Sequence, residues 1–526
     1  MLRRLRGARR RWLVVAGIVV LGLGAGAALV LLGTGGDVSN PQVEFLDTDE
    51  VVPVAPVPPE PDKPAGDDDA PRRHPADDGF SWPVYGLSKA RTHNLPLRRA
   101  LRPPFRPAWG ARGRVLLEFT PVMCRRKLYL LKNNGALYAI SRATGRVAWK
   151  RKLGTLSAAS PACGGGSVYA VLLQRARGAR GGRVVAVSAR TGRTRWSRPL
   201  PSRAESSPLL DRGRLYFGTE NGTVYALRAR DGAVRWRYRA AGAVKGAPAL
   251  SGDTLFFGDY GGRLHAIRQR DGARRWSVGT RGGRLGLRSG NFYSSAAVAY
   301  GRVYIGNTDG NVYSFAARDG KLAWRKGTGD YVYASPAVAR GPRGRPTVYI
   351  GSYDGRFYAL DARSGRERWS RRLASKISGA ATVVGDLVFF SDLGAKSTYA
   401  LGTATGQTVW KTGRGAFNPV VSDGRRVYFN GYSSLFGLDP RGVRFSARAA
   451  RRERGRERRR IARRARARAA AQAQRQRTYR TALHGHRHRA RRAGPPRCHR
   501  HRHTYRLGRR VVVLRHSHCH RHVRRR

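Results

Sequence analysis

The chain has 526 residues and a formal net charge of +71, and its 65 glycines imply many tight turns and therefore many short strands. That length suits several domains or one large repeat architecture. Its four cysteines, Cys124, Cys163, Cys498 and Cys519, show no C-x-x-C spacing, which excludes the usual zinc and redox motifs.

Residues 1–11, MLRRLRGARRR, carry six Arg and no acid. WLVVAGIVVLGLGAGAALVLLG (12–33) follows without a charge, long enough at 1.5 Å per residue to cross roughly 30 Å of hydrocarbon. The flanking arginines predict a cytoplasmic basic end, a single-pass transmembrane anchor and an extracytoplasmic remainder. A cleavable signal peptide is the rival reading, with a small-residue site at Ala25-Gly26-Ala27, but the apolar run continues past it. Residues 34–80 are rich in Pro and Asp and poor in apolar side chains, which predicts a disordered, extended stalk.

A repeat governs residues 81–445. One phrase recurs: an aromatic strand, a Gly turn, a strand of type x-Y-A-L, a second Gly turn and a Trp. Two copies are RLYFGTENGTVYALRARDGAVRW (214–236) and TVYIGSYDGRFYALDARSGRERW (347–369). Eight x-Y-A-L units occur, beginning at residues 137, 184, 224, 264, 312, 357, 398 and 435. Seven lead to Trp149, Trp196, Trp236, Trp276, Trp324, Trp369 and Trp410; the eighth has Ala447 instead. Trp109 lies upstream, in phase with the series. Each unit is a small antiparallel sheet that buries its faces only by stacking radially on its neighbours. The reading is an all-β, eight-bladed β-propeller of four-stranded blades, closed by the strand around Trp109 pairing with 428–445. The Trp should fill the gap between blades and give its N–H to a backbone carbonyl. Glycines at the preceding turns, such as Gly145 and Gly232, suit a positive-φ hairpin position. Asp at these turns reads as a turn cap rather than a metal ligand, since no loop has several carboxylates at calcium-loop spacing.

The phrase x-Y-A-L-D-A-x-[TS]-G-x-x-x-W, best seen from Tyr358 to Trp369 and from Tyr225 to Trp236, resembles the pyrroloquinoline-quinone (PQQ) repeat over about residues 110–445. The resemblance implies two branches. Quinoprotein dehydrogenases bind PQQ and calcium; the other branch is non-enzymatic, similar to the BamB scaffold, whose propeller binds protein partners. The dehydrogenase branch implies adjacent cysteines, an acidic base and large insertions. This chain has no adjacent cysteines, sparse acids in its body and near-minimal blades. The expectation is a binding or scaffolding module without a cofactor. A PQQ- and calcium-dependent oxidoreductase, and an envelope sensor with a membrane partner, are the alternatives.

After each Trp strand the chain crosses to the next blade and borders a channel mouth. These crossings bring Glu118, Glu205, Lys245, Tyr293, Tyr333, Lys376 and Asn418 to a candidate binding ring; bonding that merely holds the blades together is the structural alternative. The neighbouring residues are small, as the crowded axis requires. Cys124 and Cys163 lie in the first strands of adjacent blades, so an oxidising compartment would allow a bridge, although their one-residue offset points them to opposite faces.

Residues 446–526 form a tail with 30 Arg, basic and helix-compatible at first, then His-rich and disordered. Its alternating His-Arg places positive charge beside each metal ligand, which opposes cation binding. Residues 81–445 carry +46 of the net charge. Such a field attracts an anionic polymer or membrane surface but does not itself choose the partner, and an outside location makes nucleic acid unlikely.

Overall fold

A computed structural model describes residues 37–46, 79–97, 100–280, 290–341 and 344–440, with helical residues within 462–474 and the backbone of Pro496–Leu507 and Arg510–Arg521. The expected anchor at 12–33 lies outside these. Among the described residues no helix is long and apolar enough to cross a membrane. The chain divides into two compact units, Met1–Arg444 and Phe445–Arg526.

The first unit is an eight-bladed propeller. Blades 1 to 7 each run from a short inner strand to an outer strand bearing the Trp. Blade 1 extends from Val122–Cys124 to Val147–Lys152, blade 2 from Ala162–Gly164 to Thr194–Pro199, and blade 3 from Leu209–Asp211 to Val234–Arg239. Blades 4 to 7 begin at Ala249–Ser251, Ala297–Ala299, Ala337–Arg340 and Thr382–Val384. Blade 8 has three strands of its own, Val420–Ser422, Val427–Gly431 and Ser434–Asp439; Arg106–Ala111 supplies the fourth. Gly437 pairs with Trp109 in that register, so the ring closes as the phase of the tryptophans predicts.

The repeated phrase has a local cause. In every blade the small residue of x-Y-A-L, such as Ala226 or Ala359, lies opposite the Trp, and the register shifts just after it. This repeated bulge sharpens the twist of the outer strand. The indole then reaches the next blade: Trp196 donates to the Ala229 carbonyl at 2.8 Å and Trp324 to the Ala362 carbonyl at 2.9 Å. Trp109, Trp149, Trp236, Trp276 and Trp369 make the same inter-blade bond. Trp410 instead packs edge-on against Phe105 and Phe429.

Two amino-terminal segments are bound to the propeller. Val38–Ser39 adds a fifth strand to blade 5, beside Arg325 and Trp324. Val43 enters the core next to Tyr300 and Trp324, and Phe45 stacks on Tyr300 at 5.3 Å. The expectation of a free stalk from residue 34 is corrected here: Val43 and Phe45 give this stretch enough apolar surface to dock. Residues 79–97 line the inner ends of the blades. Ser81–Trp82 pairs with the inner strand of blade 1, and Asn94–Leu95 runs parallel to that of blade 7. Between them the carbonyls of Pro83, Lys89, Ala90, Thr92 and His93 accept from the inner-strand amides of Cys163, Leu250, Val298, Val338 and Val383. The described residues on either side of the Pro/Asp-rich stretch, up to residue 46 and from residue 79, are therefore both bound to the propeller.

Cys124 and Cys163 form a disulfide, with Cα atoms 6.2 Å apart. The offset that argued against it is what makes it: adjoining blades meet through opposite faces. Val122 and Cys124 face blade 2 while Met123 faces the other way; Cys163 faces blade 1 while Ala162 packs toward blade 3.

In the second unit, Pro496–Leu507 and Arg510–Arg521 form an antiparallel hairpin. Its register sets Cys498 opposite Cys519 and His499 opposite His518.

Candidate functional site

The crossings between blades converge on a channel cavity of about 270 Å³. Of the sequence-derived ring, Glu118, Glu205, Lys245, Tyr293, Tyr333 and Asn418 line it. Lys376 is not part of the wall; its ammonium lies 4.9 Å from the Tyr353 ring.

Beneath these residues the blades are laced together. The Ser160 amide donates to Ser207 Oγ at 2.9 Å, Ala247 to Ser295 Oγ at 2.9 Å, and Ser295 to Ser335 Oγ at 3.0 Å. Asn418 continues the lacing at the seam, donating to the Glu118 carbonyl at 2.9 Å and accepting from the Ala380 amide at 2.9 Å. The small Ser and Ala side chains of the S-S-P, G-A-P and A-S-P triplets serve this close approach.

Tyr85, from the amino-terminal segment, joins the cavity wall and donates to Asn418 Oδ1 at 3.0 Å. Its segment is held by Arg91, wholly buried, which donates to the carbonyls of Tyr85, Pro248 and Ser207 at 2.6 to 3.0 Å. Burial pulls the Arg91 guanidinium down to about 9 and pushes the Tyr85 hydroxyl up to about 12. Leu87, Arg91 and His93 adopt φ of 70°, 58° and 50°, left-handed backbone that costs side chains energy and persists only under strong surrounding constraint.

The wall has two chemical halves. On one side an arc of half-buried tyrosines runs from Tyr260 through Tyr293 and Tyr333 to Tyr353, with ring centroids 4.8 to 6.4 Å apart. Burial raises the hydroxyls of Tyr260, Tyr293 and Tyr333, and the Glu205 charge adds to it for the first two. On the other side Lys245 bridges Glu205 at 2.5 Å and Glu220 at 3.4 Å. Burial opposes the Lys245 charge, but the two carboxylates outweigh it and hold the ammonium above its ordinary value. Glu118 accepts from Asn133 Nδ2 at 2.9 Å. Burial pushes its carboxyl up; Asn133 opposes this and Glu205 adds to it.

Tyr260 and Tyr353 were missed by the crossing rule, but they carry a periodic signal. Asn133, Glu220, Tyr260 and Tyr353 each stand two residues before a turn glycine, Gly135, Gly222, Gly262 or Gly355. That turn reaches the same channel end as the crossings. Tyr85 belongs to no repeat and had no such signal.

Apart from the Glu118 carboxylate, the lining offers PQQ and calcium few uncommitted polar groups. Among the described lining residues Lys245 is the one cation, already committed to two carboxylates, whereas the quinone brings three carboxylates of its own. The amide oxygens that would ligate calcium are engaged: Asn133 Oδ1 accepts from the Glu118 amide, and Asn418 Oδ1 from Tyr85 and Ala380.

A family model described as outer membrane protein assembly factor BamB matches residues 106–196, 133–331, 180–412 and 308–487. No curated protein matches the chain. Among solved structures, BamB from Moraxella catarrhalis is similar at 18% identity and TM-score 0.51, covering 64% of this chain and 99% of that one. The quinohemoprotein alcohol dehydrogenase ADHIIG from Pseudomonas putida HK5 is similar at 14% identity and TM-score 0.58, covering 70% of this chain and 81% of that one. A europium-containing methanol dehydrogenase gives 12% identity and TM-score 0.56, covering 68% and 98%. At these identities the structural likenesses speak for the fold alone, whereas the family model spans more than half of the sequence: the chain belongs to the outer membrane protein assembly factor BamB family.

Proposed function

We propose that this chain is a non-catalytic binding propeller of the cell envelope, anchored in the membrane by residues 12–33, with its channel cavity as the docking site for a partner. The observation that carries this reading is the cavity itself. It is concave and half-exposed at its tyrosines, its amide oxygens are engaged and its one cation among the described lining residues is paired, which suits recognition. The family description ties its members to outer membrane protein assembly. Here the partner is an envelope protein, and the basic body lends attraction to acidic surfaces.

The disulfide supports an extracytoplasmic location, since such bonds persist in oxidising compartments. The docked amino terminus sets the geometry of the tether. From Gly33, the end of the expected anchor, to Asp37, which bonds Lys326 at 2.8 Å, is four residues, a reach of roughly 14 Å when extended. On this reading the edge of blade 5 lies close to the membrane rather than at the end of a long stalk.

The test is a photo-crosslinking residue placed at Tyr331, an exposed neighbour of Tyr333 at the cavity, and separately at Val409 on the outer strand of blade 7. A discrete protein adduct from intact envelopes at Tyr331 and none at Val409 supports the reading; equal labelling at both, or none at Tyr331, contradicts it.

A further inference from the structure

Resting on that binding role, we propose that the cavity recognises an organic cation, a guanidinium or ammonium group, seated between Glu118 and the face of Tyr293. Three independent features converge on this chemistry.

The first is charge. The lining holds Glu118, Glu205 and Lys245, and Lys245 is bracketed by Glu205 and Glu220. Among the described residues no ion pair is formed by Glu118, whose side chain meets only the neutral amide of Asn133. The cavity is thus a local anionic cup in a body of strong positive charge. A carboxylate in a partly desolvated site attracts a cation far more strongly than one in water.

The second is the tyrosine arc. Tyr260, Tyr293, Tyr333 and Tyr353 offer ring faces and edges to one concave space. Aromatic faces beside a carboxylate are the common means of holding alkylammonium and guanidinium groups.

The third is that the protein already makes such contacts at both ends of the arc. Lys245 Nζ lies 5.1 Å from the Tyr260 ring centroid, and Lys376 Nζ 4.9 Å from that of Tyr353. Among the described residues neither central ring, Tyr293 or Tyr333, has a cation over it, and Tyr293, the more buried of the two, lines the same cavity as Glu118. The middle of the arc, beside Glu118, is the part of the series without a cation among the described residues.

Two sources share this chemistry: a free amine, or an Arg or Lys side chain on a partner. The +46 carried by residues 81–445 favours the second over distance, because it attracts a partner surface that is acidic around one basic side chain. It also predicts salt sensitivity for that partner alone.

The experiment uses the full chain and titration calorimetry with two probes, agmatine and an acidic peptide with one central arginine; inorganic phosphate is the control. Glu118→Gln keeps an oxygen for the Asn133 bond and removes the charge. Tyr293→Phe keeps the ring, and Tyr293→Leu removes it. Agmatine should bind, weaken at least tenfold in Glu118→Gln, stay within about twofold in Tyr293→Phe and weaken in Tyr293→Leu. Equal binding of both probes supports a free amine, and tighter, salt-sensitive peptide binding supports a partner side chain. The proposal is overturned if agmatine and peptide both fail to bind, if Glu118→Gln leaves affinity unchanged, or if phosphate binds in their place. An adduct at Tyr331 surviving any of these failures would leave the binding propeller standing without the cation.

Discussion

Arg142 of blade 1 and Asp423 of blade 8 form an ion pair 2.6 Å long across the seam where the ring closes, with side chains 3% and 6% exposed. Tyr428 donates to the same carboxylate at 2.7 Å. At the equivalent turn position blades 2 and 3 carry Ala189 and Ala229. The seam joins an amino-terminal strand to a carboxyl-terminal blade, and a directional, buried pair specifies that junction as apolar packing alone would not. Burial would push the Asp423 carboxyl up, but Arg142 outweighs it and holds it below its ordinary value.

Arg142→Ala leaves Asp423 buried beside Tyr428 without its counter-charge, which costs about 3–5 kcal/mol. Denaturant unfolding should show that loss above the ordinary carboxylate value. The wild-type advantage should fade as pH drops through the lowered value of Asp423, where the carboxylate is protonated.

Reduction should weaken the ring at its first interface. The Cys124–Cys163 bond closes a loop of 39 residues, for which the chain-entropy relation gives about 4 kcal/mol. Cys124→Ser with Cys163→Ser should match reduced wild type in denaturant midpoint, and reductant should leave the double variant unmoved.

Acid should destabilise the propeller through His93. Burial, with help from Arg91, lowers its imidazole to about 3. Between about pH 6.5 and 3 the unfolded chain takes up a proton that the folded chain refuses. Stability therefore falls on acidification by about 1.4 kcal/mol per pH unit for this one group. His93→Asn should remove that component of the slope, measured by unfolding at pH 7, 6 and 5.

Two glycines separate backbone strain from packing. Gly213 and Gly232 have φ of 72° and 75°, but a Cβ on Gly213 meets nothing within 4 Å, whereas one on Gly232 lies 2.7 Å from Trp196 Cε3. Gly213→Ala should cost about 1 kcal/mol, the left-handed penalty alone. Gly232→Ala should cost more, because the indole must shift off the next blade, and Trp fluorescence should change only in that variant.

The fold was legible because a propeller repeats its solution. Eight x-Y-A-L units and the phase of Trp109 fixed blade number and closure, since each Trp must meet the next blade's turn. Six cavity residues followed from counting along the crossings. What escaped lay outside the period or in the relation between blades. Tyr85, Arg91 and His93 sit in a segment without repeat whose position is set by the amides it caps. The Cys124–Cys163 bond depended on the fact that neighbours meet through opposite faces. Val43 and Phe45 were outweighed in composition by the Pro and Asp around them.

The measurement that bears most directly on the central claim is thermal unfolding of the full chain with PQQ and calcium, with the absorbance spectrum recorded alongside. A ligand that binds only the native state at free concentration L stabilises it by RT ln(1 + L/Kd) and so raises the melting temperature as its concentration rises. The account predicts no shift and no bound-quinone spectrum at any concentration tested. A concentration-dependent rise accompanied by quinone absorbance would contradict it and return the cavity to the oxidoreductases.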